Sequence, residues 1–261
     1  MARNPRIKRL RKLITQRKAR SEERAFLVEG PAVVAEAIDG DLLRRGLGVE
    51  AVYIEVGYEP ALAERARRAG VAVWEVAPGV LGAALDTRAP QPVAAVIVGE
   101  AAEATDIGAT GPLLVVIDPG DPGNLGTLIR SAEAAGAAGL VVAGAAVDVT
   151  NPKVVRATAG AALRFPVVVE PDVGAALALA RDTGRRVLAT VVGPDADPYD
   201  TVDLERAALV LGNEAHGLTP QVVADSDGAV TIPLAGPTES LNLAVAASVL
   251  CFEALRQRRS P

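Results

Sequence analysis

Between Leu113 and Ile232 the chain repeats one pattern: a short apolar run, a break rich in Gly, Pro, Asn or Asp, and a stretch of helical character. The runs Leu113–Ile117, Leu140–Val142, Phe165–Val169, Arg186–Thr190, Ala208–Leu211 and Val230–Ile232 are close to continuous rather than alternating. A strand that is apolar on both faces has to be covered on both faces, which is the condition of a parallel sheet layered between helices. Helix starts fall between the runs: near Leu125, at Asn151-Pro152, at Asp172 and at Thr219-Pro220. Two of these, Asn151-Pro152 and Thr219-Pro220, offer a capping side chain followed by proline. The last helix is expected from about Leu243 to Gln257, with Arg256, Arg258 and Arg259 near its negative dipole end. Periodicity alone therefore predicts a doubly wound α/β sheet without internal repeats.

In such sheets ligands bind where polar loops leave the C-terminal ends of buried strands. Three loops here have that character. Asp118 to Thr127 follows the first run and opens a helix that carries Asn124 and Arg130. Its glycines are spaced G-x-x-G-x-x-G, which is not the dinucleotide fingerprint, and no Gly-Lys-Ser/Thr of a P-loop appears. Gly212 to Gly217 ends the run Ala208–Leu211 and brings Glu214 and His216. Ile232 to Ser248 passes from a strand end through a Gly/Pro loop, with Ser240 and Asn242 at the mouth of an apolar helix. Arg130 reads either as a forked clamp on a phosphate or as a surface ion pair. Glu214 reads as the partner that orients Arg130, as an acceptor from a ligand, or as a helix cap, and His216 as a turn former rather than a base.

Residues 1–24 carry ten Lys/Arg against Glu22 and Glu23, a charge of +8. The whole chain carries −5, so the remainder carries −13. A basic arm on an acidic body suits a polyanion, the alternative being a solvated helix face. The arm reads as a helix from Pro5 to about Lys18 with Ile7, Leu10, Leu13 and Ile14 on one stripe. Phe26-Leu27-Val28 and three further strands up to Val98, with helices between, form an α/β unit of about 100 residues. The composition of Glu100 to Pro112 reads as a linker. The expected organisation is thus residues 1–100, a linker at 101–112, and 113–261. Cys251, the single cysteine, sits in the apolar C-terminal helix and reads as a buried structural thiol. With one histidine besides, no metal site is expected. No signal peptide is expected at the N-terminus, and the apolar run from Leu243 to Phe252 is too short to span a bilayer. A cytoplasmic protein without membrane partners is the expectation.

The segments N-x-G-x-x-x-R-S-A, L-G-N-E-x-x-G-L and I-P-x-x-G-x-x-x-S-L-N-x-x-x-A closely resemble, in order and spacing over 113–258, the three motifs of the SpoU–TrmH family of RNA 2′-O-methyltransferases, within the SPOUT class. The arm and Phe26 to Gly30 resemble the family's N-terminal substrate-binding domain, which is similar to a ribosomal protein fold. Leu234 stands where many members have Met. The resemblance implies a C-terminal trefoil knot, a homodimer packed through the knotted domain, and S-adenosylmethionine as cofactor. It implies that Gly212, Ile232, Pro233, Leu241 and Asn242 hold the cofactor, and that Arg130, Asn124, Glu214, Ser240 and Asn242 serve methyl transfer to a ribose 2′-OH. RNA would be gripped by Arg3, Arg6, Lys8, Arg9, Arg11, Lys12, Arg17, Lys18 and Arg20. With aromatics at 3% of residues, recognition should lean on phosphates and RNA shape. Ribosomal RNA is the expected substrate, since the separate N-terminal domain resembles the ribosomal RNA members. The alternatives are transfer RNA and a non-catalytic RNA-binding or ribosome-assembly role.

Overall fold

The structure is a computed structural model that describes residues 4–40, 42–85, 89–99, 102–145 and 148–259. Arg3, one of the expected RNA contacts, lies outside the described residues. Two units are present, one formed by 1–100 with 150–164 and the other by 101–149 with 165–261.

The first unit begins with α1 (Pro5–Thr15) and α2 (Arg17–Glu23), followed by β1 (Ala25–Glu29), α3 (Pro31–Asp39), β2 (Leu47–Glu55), α4 (Pro60–Arg68), β3 (Ala72–Val76), α5 (Val80–Ala84) and β4 (Val93–Gly99). Its sheet runs β1-β4-β2-β3. β4 is antiparallel to β1 and β2, and β3 is parallel to β2. Alternate residues face opposite sides, as the two-residue period demands. Phe26, Val28, Val52, Ile54, Val93, Ala95 and Ile97 join one core with Val34 and Leu62. Leu27, Tyr53, Ala94 and Val96 join another with Ile7, Leu10, Leu13 and Leu81. The apolar stripe expected on the arm is thus buried. The arm is not one helix, however. The backbone turns extended at Gln16, and Arg20 reaches back so that its Nη1 donates to the Leu13 and Ile14 carbonyls at 2.7 and 3.2 Å. That guanidinium satisfies carbonyls left open at the end of α1.

Two sequence expectations change here. The segment Thr150–Arg164, placed by sequence with the second unit, groups with the first. Val155 and Leu163 are buried in its core, and Arg156 Nη1 donates to Glu29 Oε1 at 3.0 Å. The stretch expected to be a linker is pinned onto the second unit instead. Gly108 N–H donates to the Ala138 carbonyl at 2.9 Å, and the buried Arg185 donates to the carbonyls of Gly108 and Gly111. A Cβ at Gly111 would stand 2.3 Å from the Gly136 oxygen, so only glycine allows this approach.

The second unit contains β5 (Leu113–Ile117), α6 (Pro122–Ala134), β6 (Gly139–Ala143), β7 (Val167–Glu170), α8 (Val173–Asp182), β8 (Arg186–Thr190), β9 (Asp197–Pro198), β10 (Ala207–Leu211), α9 (Pro220–Ala224), β11 (Gly228–Thr231) and α10 (Leu243–Arg259), α7 being the helix Pro152–Ala157 of the first unit. Its sheet runs β7-β6-β5-β10-β8-β11-β9 with every pairing parallel. β5, β6 and β10 are buried along their whole length, as the continuous apolar runs require. The connections leave β5 toward β6 and β7 on one side, while β10 and β8 lie on the other. The switch point therefore falls between the C-terminal ends of β5 and β10.

Candidate active site

The loops from β5 and β10 meet at that switch point. Asp118 ends β5 in the left-handed region at φ 50°. Its carbonyl accepts from Asn213 Nδ2 at 2.6 Å, and its Oδ1 accepts from Ala145 N–H beyond β6 at 2.5 Å. One residue thus ties three strand ends together. Asp121 caps α6 by accepting from Asn124 N–H at 2.8 Å. Asn124 then sits in the first turn with its amide facing the neighbouring loop. Its Nδ2 donates to Glu214 Oε1 at 3.0 Å, and Gly120 N–H donates to Glu214 Oε2 at 3.2 Å. Burial pushes the Glu214 carboxyl up, but hydrogen bonds from Asn124 and from backbone N–H groups outweigh it and hold the group below its ordinary value. Glu214 is therefore an ionised acceptor near neutral pH.

The third loop closes the arrangement. Asn242 Oδ1 caps α10 by accepting from Ala244 N–H at 2.9 Å, while its Nδ2 donates to Asn124 Oδ1 at 2.9 Å. Asn242, Asn124 and Glu214 thus form one hydrogen-bonded line across all three loops. Beside it lies a cavity of about 450 Å³, within the size range of small-molecule sites, about 300–1,000 Å³. Gly212, Glu214, Ile232, Ser240 and Leu241 line it. Pro233 and Asn242 do not, although Ile232, Leu234 and Leu243 do.

Arg130 stands apart. It is exposed on α6 and makes no hydrogen bond or ion pair among the described residues. The expected pairing with Glu214 is absent. Arg130 lies about 240° around the helix from Asn124 at 3.6 residues per turn, and the Glu214 oxygens are taken by Asn124 and Gly120. Sequence reasoning also missed the wall supplied by Thr190 at the end of β8 with Val191 and Val192 beyond it, and the lining positions of His216, Leu218 and Glu239. The signal was available: β8 is a parallel strand like β10, so its C-terminal end opens on the same crevice.

On the arm, Lys8, Lys12 and Arg17 are exposed with no partner among the described residues, and Lys18 lies 3.6 Å from Glu22. Arg6 stacks over Trp74 at 3.6 Å from the ring centroid, and Arg11 donates to the Ala83 carbonyl. Arg9 is engaged by Glu23 and by Glu50, to which its Nη2 donates at 2.9 Å. Arg20, 5% exposed and committed to the end of α1, drops out of the expected RNA-contacting set. Among the described residues no cluster of His, Cys, Asp or Glu is placed to hold a metal, and no helix is long and apolar enough to cross a membrane.

Comparison with known proteins agrees with this geometry. The SpoU rRNA Methylase family matches residues 112–252, and the MRM3-like substrate binding domain matches 4–95. The chain is 31% identical over 252 residues to the 23S rRNA (guanosine(2553)-2′-O)-methyltransferase RlmP of Bacillus subtilis, covering 96% of each. It is 41% identical over 149 residues to the 23S rRNA (uridine(2479)-2′-O)-methyltransferase of Streptomyces viridochromogenes, covering 54% of this chain and 51% of that one. The chain thus spans about half the length of that relative, and 39% of a tRNA/rRNA methyltransferase of Synechocystis. The crystal structure of the SpoU methyltransferase AviRb from S. viridochromogenes in complex with the cofactor AdoMet superposes with a TM-score of 0.85 at 31% identity, covering 99% of this chain and 100% of that one. An AdoMet-bound rRNA methyltransferase from Sinorhizobium meliloti gives the same TM-score at 31% identity, covering 98% and 96%.

Proposed function

The chain belongs to the SpoU rRNA methylase family, and on that premise we propose that it transfers the methyl group of S-adenosylmethionine to a ribose 2′-OH of ribosomal RNA. The observation that carries this is the convergence of three loops on one cavity, with Asn242, Asn124 and Glu214 in a single hydrogen-bonded line beside it. Ribosomal RNA is favoured because a substrate-binding domain precedes the catalytic unit.

The cofactor fits the residues present. The cavity combines aliphatic walls from Val191, Ile232, Leu234 and Leu241 with the polar backbone of strand ends at Gly212 and Thr190, the mixture expected of a site for an adenosyl group. When bound, the sulfonium supplies a methyl already activated for attack. What remains for the protein is alignment of the ribose and removal of a proton from a hydroxyl that is weakly acidic. Glu214 stays ionised and holds the Asn124 amide in one orientation, and Asn242 fixes the other side of that amide. Ser240 lines the cavity with a hydroxyl that has no partner among the described residues, and it is assigned to the ribose. Arg130 is assigned to the target phosphate, where its free fork polarises the 2′-OH; a phosphate oxygen or water takes the proton. Because Glu214 does not hold Arg130, the guanidinium is ordered by substrate rather than in advance.

A trefoil knot, an exception to the rule that chains do not thread loops, goes with the family reading, and the bond from Asn242 to Asn124 supports it in bringing the segment after β11 beside the first turn of α6, which follows β5. A homodimer is supported by Val245 and Phe252, each 48% exposed on α10. A cytoplasmic site of action goes with the proposed ribosomal RNA substrate. The experiment is transfer of labelled methyl from S-adenosylmethionine to total RNA, followed by mapping of the modified ribose. Label in a base, or no transfer to any ribosomal RNA, contradicts the proposal.

A further inference from the structure

The first unit holds a cavity of about 210 Å³, well apart in sequence from the three loops, lined by Val28, Glu29, Val33, Gln91, Val155 and Arg156 among others. At about 30 Å³ per water this is room for about seven waters. That is too little for a nucleotide and enough for one planar ring system. Its polar feature is an ion pair. The Glu29 side chain is 5% exposed, and Oε1 accepts from Arg156 Nη1 at 3.0 Å. The contact is a single bond rather than a fork. Among the described residues the second carboxylate oxygen and the remaining guanidinium N–H groups have no partner. Burial pushes the Glu29 carboxyl up and the Arg156 bond only partly offsets this, as expected of a carboxylate short of donors. The wall beside the pair is strained: Ala159 is left-handed at φ 48°, followed by Gly160 at φ 97°, and backbone held in sparse regions clusters at ligand clamps.

We infer that this cavity takes a single unstacked base of the RNA, and that guanine is the base it reads. The inference rests on the proposal that the chain acts on RNA. The pair presents acceptors beside donors. Guanine answers with N1–H and N2–H for the carboxylate and O6 for the guanidinium, while the aliphatic walls cover its faces. Adenine and cytosine each bring a single donor group to that edge, and the one donor of uracil is flanked by acceptors. The base read here is a specificity element remote from the methylated ribose, on the unit that matches a substrate-binding domain.

The test is binding of the 5′-monophosphates of guanosine, inosine, adenosine, cytidine and uridine to the full chain, by saturation-transfer NMR and titration calorimetry. The guanosine form should bind tightest. The inosine form, which lacks N2–H, should bind about tenfold more weakly, the scale of one hydrogen bond to a charged group. Glu29→Gln should erase the preference. Val33→Phe, which fills the cavity without touching the ion pair, should abolish binding altogether. An unchanged thermal unfolding profile and far-UV circular dichroism of the full chain show that the first unit folds in both variants, and calorimetry with S-adenosylmethionine, whose site lies in the other unit, should be unchanged as well. Equal binding of all five nucleotides, no saturable binding up to about ten times the millimolar range of weak ligands, or an order of preference that survives Glu29→Gln overturns the inference. If methyl transfer to ribosomal RNA persists through such a result, the base pocket fails alone. If transfer is absent from the wild-type chain, the reading beneath it fails.

Discussion

Replacing Gly212 by alanine should separate cofactor binding from global stability. A Cβ at this position would stand 2.2 Å from the Gly217 carbonyl carbon and 2.5 Å from Leu218 N, where ordinary contact begins near 3.4 Å. All the crowding atoms are backbone, so no side chain can swing aside, and one loop must move by about 1 Å to relieve the overlap. Overpacking of this kind costs about 1–3 kcal/mol, and each kcal/mol lowers Tm by roughly 2–4 °C in a chain of this size. Gly217 and Leu218 line the cavity, so the displacement falls on the binding surface. Affinity for S-adenosylmethionine should weaken at least about tenfold, or about 1.4 kcal/mol, and single-turnover transfer should fall by on the order of 10²-fold, the effect of about 1 Å of misplacement. Gly217→Ala is the control. Its Cβ meets nothing within 4 Å, and only the left-handed φ is penalised, by about 1–2 kcal/mol. The two variants should therefore lose similar stability while only Gly212→Ala loses most of its affinity. Titration calorimetry and scanning calorimetry on both provide the measurement. A Gly212→Ala protein that binds the cofactor as the wild type does would refute the reasoning.

Four further outcomes follow from the same geometry. Arg130→Ala should leave cofactor affinity intact and reduce single-turnover methyl transfer at saturating RNA by roughly 10²-fold, with little rescue by Arg130→Lys because a point charge cannot replace the fork; normal turnover would make Arg130 a binding residue only. Changing Lys8, Lys12 and Arg17 together to alanine should flatten the log–log salt dependence of RNA binding by about 0.7–0.9 for each phosphate no longer neutralised, whereas Arg20→Ala should lower Tm, since it strips the end of α1; identical behaviour of the two would show that burial does not separate their roles. The Cys251 thiol, pushed up to about 12 by burial, should resist thiol reagents at pH 8 until the protein unfolds. Its folded value lies above the unfolded one, so its protonated form stabilises the fold at neutral pH and that contribution fades as pH rises past the ordinary thiol range. Light scattering should give a dimer of the 26.7 kDa chain, and Phe252→Glu should shift it toward monomer; a concentration-independent wild-type monomer contradicts the assignment of α10.

What could be read in the sequence was whatever burial alone decides. The continuous runs of β5, β6 and β10 could only be strands covered on both faces, and the stripe Ile7, Leu10, Leu13 and Ile14 could only face a core. Three polar loops at strand ends announced the site, and Asn124, Glu214 and Asn242 indeed meet there. What could not be read depends on direction rather than type. Arg130 and Asn124 share a helix but point apart, so the pairing expected of Arg130 with Glu214 went instead to Asn124 and Gly120. Arg20 counts as one of ten cations in composition, and only the break at Gln16 converts it into a helix cap. The stretch 102–112 has the composition of a linker, yet buried Arg185 supplies from far along the chain the donors that fix it.

The cavity walls come from Thr190 to Val192, Gly212 to Leu218 and Ile232 to Ala246, and the bond that closes the line joins residues 118 positions apart. β5 pairs with β10 as well as with β6, and its core includes Val187, Ala208 and Val210, so the sheet and the cavity are both completed by late parts of the chain. Domains form from the N-terminus as synthesis proceeds at about 5–20 residues per second, and long-range closures come late because loop entropy has to be overcome first. Under the proposed function, a chain cut short before Ile232 lacks one wall of the cavity and should not bind S-adenosylmethionine. Since a ligand stabilises only the state that binds it, S-adenosylmethionine bound in this cavity would favour the arrangement in which Ile232, Ser240 and Leu241 stand in its wall.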